Sequence, residues 1–151
     1  MLMSVFESPF MIAATVSLVI QIVVLGLLFF GYTLKKKQKF RQHGLTMLCA
    51  VVLHAITIFA VMVPSFVGGF SPPGAIDFSN MLVVIAMVHA VTGVIAFILG
   101  VGLVTSWRLR KDLKPCFAKK QFMRVTIMIW MIALVLGIVL YWYFYVTTLL
   151  I

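Results

Sequence analysis

The chain has 151 residues, 64% of them hydrophobic, with 12 Lys or Arg against 3 Asp or Glu and a formal charge of +9. Its mean hydropathy is +1.23, and no soluble domain of this size hides so much apolar side chain, so a water-soluble globular protein is excluded. Nearly all the basic residues lie in two short loops between apolar runs, which reads as positive-inside bias and not as a nucleic-acid footprint.

The first apolar run spans about Pro9 to Leu34. It follows Glu7 and Ser8, and Pro9 suits the first turn of a helix. It lacks a basic flank and a small-residue cleavage site, and it exceeds a signal-peptide core, so it is expected to be a retained span. Gln21 sits near its centre, one turn after Ser17. The loop that follows, KKKQKFRQ at 35–42, has five positive charges and no negative one.

The second span is expected over 43–63, stopping at Pro64. His43 and His54 lie eleven residues apart and share a face. Loop 64–79 contains Gly68-Gly69 and Pro72-Pro73-Gly74, which is turn chemistry, and Asp77 is its one charge. The third span, 80–107, has one ionisable residue, His89. Helical spacing from His89 gives Gly93, Ala96 and Gly100, a stripe of small residues that lets another backbone or a flat cofactor approach. Loop 108–124 carries seven basic residues against Asp112. The fourth span, 125–151, places Trp130, Gly137 and Tyr141 on one face and ends in the aromatic run Tyr141 to Tyr145, suited to an interfacial belt.

These runs predict an all-α integral membrane protein, a single four-helix transmembrane bundle. With loops 35–42 and 108–124 cytoplasmic, both termini fall on the outer side.

An ionisable residue inside a span is a functional-site hypothesis by default. His54 lies ten residues before Pro64 and His89 ten after Ser79. Both are therefore about 15 Å deep from the outer side. Matched histidines on neighbouring helices suit axial ligation of a b-type haem, with Gly93 leaving room for the macrocycle. From the basic side the depths disagree: His54 is thirteen residues from Arg41, and His89 is nineteen from Arg108. That is a gap of roughly 9 Å. The alternative is that each histidine hydrogen-bonds across the bundle, to Gln21 or to a backbone carbonyl.

His43, beside Gly44 and the basic loop, reads first as an interfacial histidine. With Met47 one turn on, it also offers a weaker copper(I) site. Cys49 faces away from that pair, and Cys116, within KPCFAKK, has no base or second thiol beside it. No Ser/His/Asp set, carboxylate pair or glycine-rich phosphate loop is present, so enzyme chemistry is not expected.

The run from His43 to Met47, the segment VIAMVHAVTG around His89, and Arg124-Val125-Thr126 followed by Trp130, Gly137 and Tyr141 together resemble the small membrane family known as domain of unknown function 420. The resemblance covers spans two to four. It implies a four-helix membrane protein of bacteria and archaea, in a family with some members linked to haem-copper oxidase maturation and with histidines as the recurring polar residues. By position it implies roles for His43 and His89, with His54 matching a histidine found towards the end of the second span. Seven residues before Thr126, where members commonly have a histidine, this chain has Lys119.

The expected function is therefore a small b-type haem protein moving electrons within or to a respiratory membrane complex, its iron held by His54 and His89. The alternative is a non-catalytic assembly factor or accessory subunit of a membrane oxidase of the haem-copper type, without a cofactor of its own. A copper-handling role through His43 and Met47 ranks third. The expected partners are the lipid bilayer and other membrane subunits or a second copy of the chain.

Overall fold

The computed structural model describes residues 9–70, 77–108 and 120–146. It is helical, with no strand among the described residues. The elements are α1 (Pro9–Lys36), α2 (Phe40–Thr57), a π-helical segment (Ile58–Met62), α3 (Val63–Phe70), α4 (Met81–Arg108), α5 (Lys120–Tyr141) and a second π segment (Trp142–Val146). Among the described residues, four stretches are long and apolar enough to cross a membrane: Met11–Lys36, Phe40–Gly68, Met81–Trp107 and Lys120–Phe144.

α1 packs along α2 and α4 along α5, while contacts of α2 with α4 and of α1 with α5 close the bundle. The inward stripe of α1 is Ser17, Gln21, Val24 and Leu28, at the four-three-four spacing of a helix face. Its Val24 and Leu28 meet Ala50 and Val51 of α2, Ala96 and Val104 of α4, and Trp130 and Leu134 of α5 in one core. The outward faces are apolar too: Phe29, Phe30, Ile98 and Met128 are all exposed. An apolar outer surface around a core containing Ser17, Gln21, His54 and Thr126 reverses the soluble pattern and suits lipid as the solvent.

α1 ends in a Schellman motif. The Lys39 N–H donates to the Leu34 carbonyl at 3.0 Å and the Gln38 N–H to the Lys35 carbonyl at 3.1 Å. Gln38 takes the left-handed position, with φ 57°. At the start of α4, the Asn80 side chain accepts the Leu82 N–H at 3.0 Å as an N-cap. Just before it, hydrogen bonds from Ser79 hold the exposed Asp77 carboxyl below the usual carboxylate range.

The second span does not stop at Pro64. The helix continues through the π segment into α3 and runs to Phe70, so Gly68 lies in a helix and not in a turn. The reason is local. The Val63 N–H reaches back to the Ile58 carbonyl, so the ladder has shifted register just before the proline, and the N–H that Pro64 lacks falls at this break. The Pro72-Pro73-Gly74 turn and residues 147–151 lie outside the described residues, and α5 begins at Lys120, ahead of the expected start at 125.

Candidate functional site

The π segment begins one turn after His54, and its first effects are felt there. The Thr57 hydroxyl donates to the His54 carbonyl at 2.8 Å, while the Ile58 N–H is shared between the carbonyls of His54 and Ala55. The His54 side chain is 2% exposed. Its ring lies 4.9 Å from the Trp130 ring and 6.4 Å from that of Phe97. The Gly93 backbone lies beside the imidazole but outside hydrogen-bonding geometry, so both ring nitrogens are buried without a partner. An imidazole buried in this way forgoes hydrogen bonds that it would make in water.

His89 is fixed. Its Nδ1–H donates to the Ala133 carbonyl at 2.8 Å, which leaves Nε2 of the neutral ring as an acceptor. The ring packs over Gly137: a Cβ there would fall 2.9 Å from His89 Cε1 and 3.1 Å from Gln21 Oε1. Glycine at 137 is thus what lets a glutamine of α1 and a histidine of α4 meet on α5. The Gln21 amide is also 3.5 Å from Ser17 Oγ. A turn further along, the Thr15 hydroxyl donates to the Met11 carbonyl at 2.8 Å. Its contact with the Tyr141 hydroxyl at 2.9 Å is then one in which Tyr141 donates.

The two histidines are near one another but stepped. His54 packs against Gly93 and Phe97, four and eight residues after His89. That places it roughly 6–12 Å lower along α4. On α5 the step recurs: His54 meets Trp130, and His89 meets Ala133 and Gly137. The matched depth expected from Pro64 and Ser79 does not hold, because the helix runs six residues past Pro64, to Phe70. Those six residues are about 9 Å of helix, the gap already present in the count from the basic loops.

The small-residue stripe divides in the same way. Gly100 is a close contact, since a Cβ would lie 3.1 Å from Val51 and 3.3 Å from Trp130. Gly93 is buried, yet a Cβ there would meet nothing within 4 Å. Iron ligation by the pair is consistent with the donor types. A macrocycle between the rings, however, requires Trp130 and Phe97 to leave His54 and the step to close.

His43 lies at the end of the bundle that carries the basic loops. Its Nδ1–H donates to the Gly31 carbonyl at 2.7 Å, and the Met47 methyl group presses against Gly31. His43 and Met47 both line a cavity of about 490 Å³ at that end. No group of three or more His, Cys, Asp or Glu side chains converges among the described residues. Cys49 is exposed on its helix, away from these sites, and Cys116 lies outside the described residues.

Sequence reasoning singled out His54, His89 and Gly93 but missed Trp130 as the neighbour of His54 and missed the cavity. The shared face of Trp130, Gly137 and Tyr141 was the available signal: the first meets His54, the second His89 and the third Thr15. No family model, curated protein or solved structure matches this chain.

Proposed function

We propose that this chain is a non-catalytic accessory subunit or assembly factor of a larger membrane complex, of the haem-copper oxidase kind to which the sequence resemblance points. One observation carries the reading. The mid-bundle histidines stand at different levels, and each is built into helix packing, His54 under Trp130 and Phe97 and His89 on the Ala133 carbonyl. The His89 bond to Ala133 ties α4 to α5, which is what polar groups contribute inside a bilayer, while His54 fills its place by ring packing. The basic loops favour an orientation with 35–42 and 108–124 in the cytoplasm and both termini outside.

A second reading is favoured by a separate observation, the two unpartnered nitrogens of His54. With Nε2 of His89 available and space beside Gly93, the pair would hold a b-type haem and the chain would be an electron carrier. Haem would supply one-electron redox chemistry there. The protein would have to open the His54 ring contacts to admit it.

Absorption spectra of the haem-replete protein, oxidised and dithionite-reduced, separate the two. The accessory reading expects no α-band from the purified chain. It also expects a deletion strain to lose membrane oxidase activity and to regain it with the wild-type gene. A sharp α-band that His54→Ala and His89→Ala each remove would replace it with the electron-carrier reading. Unchanged oxidase activity in the deletion strain would sink the accessory role.

A further inference from the structure

The cavity of about 490 Å³ opens where α1, α2, α4 and α5 part at the basic end of the bundle. Its size falls within the roughly 300–1,000 Å³ of small-molecule pockets. Its chemistry is divided along its depth. Lys35 and Lys36 of α1 and Lys120 and Arg124 of α5 line the cavity at the basic end, and none of the described residues lining it is acidic. Lys120 and Arg124 are one turn apart, so they present their charges on one helix face. The deeper wall is apolar: Val51, Gly100 and Trp130 form it, with the Trp107 ring along one side.

Helix packing builds one side of this shape. A Cβ on Gly44 would strike the Trp107 ring at 2.5 Å, so the glycine seats that ring against α2. The Trp130 Nε1 is buried with no hydrogen-bond partner, which leaves an unused donor on a side chain of the cavity wall. Within the cation set, Lys35 Nζ is 3.8 Å from Met123 Sδ and Lys36 Nζ is 5.1 Å from the Tyr32 ring centre. Neither contact neutralises a charge.

We propose that this cavity binds an anionic phospholipid, with its phosphate among Lys35, Lys36, Lys120 and Arg124 and the upper part of an acyl chain against Trp107, Val51 and Trp130. Basic pockets between membrane helices recognise such headgroups, and a guanidinium grips phosphate oxygens in pairs. A free phosphate would use the mouth and leave the apolar wall idle. A zwitterionic lipid would bring a further cation into a site that already holds four. The inference is independent of whether the histidines ligate iron.

The test uses the tryptophans as reporters. Trp107 and Trp130 line the cavity, while Trp142 is 60% exposed and outside it, so Trp142→Phe confines the signal. Full-length protein in a neutral detergent is titrated with dioctanoyl phosphatidylglycerol, dioctanoyl phosphatidylcholine and inorganic phosphate. Phosphatidylglycerol should give a saturable fluorescence change at an apparent affinity at least about tenfold tighter than phosphatidylcholine, and inorganic phosphate should give none. Arg124→Gln should weaken phosphatidylglycerol about fivefold, and adding Lys36→Gln and Lys120→Gln should weaken it by more than about tenfold. Lys37→Gln with Lys39→Gln removes charge from the same end but outside the cavity, and should leave the affinity unchanged. Equal affinity for the two lipids would overturn the proposal. So would equal losses from the cavity and control variants, or an equal response to inorganic phosphate. Should the triple variant fail to fold, Arg124→Gln and the control pair decide.

Discussion

The imidazole of His54 and the indole of Trp130 pack with their centres 4.9 Å apart and their planes at 48°, and neither side chain has a hydrogen-bond partner for its ring nitrogens. Two polar aromatic side chains thus meet in the core as if both were apolar. For a histidine with no ligand, replacing it with an apolar side chain of similar size removes an unmet polar group and keeps the packing. His54→Leu should therefore raise stability by about 1 kcal/mol in thermal unfolding of the detergent-solubilised protein. A clear loss of stability instead would mean that His54 holds a partner, and would favour the metal-ligating reading.

Gly137 and Gly93 should respond in opposite directions to the same substitution. At Gly137 a methyl group falls 2.9 Å from His89 and 3.1 Å from Gln21. Gly137→Ala must shift the His89 ring, which is bonded to Ala133, and should cost about 1–3 kcal/mol. At Gly93 the same methyl group meets nothing within 4 Å. Gly93→Ala should be neutral or stabilising by up to about 1 kcal/mol, since alanine is the better helix former. Denaturation midpoints of the two variants check this, and a large loss at Gly93 would place an occupant beside it.

The four long apolar helices were legible because a bilayer demands about 20 apolar residues per crossing and confines charge to the loops, a pattern this sequence carries. The inward face of α4 was legible too, since Gly93, Ala96 and Gly100 follow His89 at helical spacing and are buried. What happens at Pro64 was not. A proline ends a helix unless the ladder has already shifted, and that shift depends on the π segment before it. That one misjudged boundary carried the false depth match of His54 with His89. The Trp130 contact and the cavity were hidden for another reason: each is made by side chains from separate helices, and no periodicity along one helix encodes which partner it meets.

Gln38 is in the left-handed region, with φ 57°, at the end of α1. A side chain there costs roughly 1–2 kcal/mol that glycine avoids, less the entropy glycine loses on folding. Gln38→Gly should stabilise the α1–α2 connection by about 0.5–1 kcal/mol, and the β-branched Gln38→Val should destabilise it. Unfolding midpoints report both, and an unchanged or lowered midpoint for Gln38→Gly would show that the turn is held by something other than its backbone conformation.

Orientation in the membrane gives the last test. Loop 35–42 carries five positive charges and loop 108–124 carries seven against one negative, while Asp77 is the one charge of loop 64–79. Positively charged loops are retained in the cytoplasm, so the end bearing Phe78 should face outwards. Phe78 is 68% exposed and Gln38 is exposed at the opposite end, so both positions accept a probe. With Cys49→Ala and Cys116→Ala as background, Phe78→Cys should react with a membrane-impermeant maleimide in intact cells. Gln38→Cys should react only after permeabilisation. The reverse pattern would invert the protein and move the basic cavity to the outer leaflet. Labelling of both from outside would show that the stretch between positions 38 and 78 does not cross the membrane, which would remove one of the four spans.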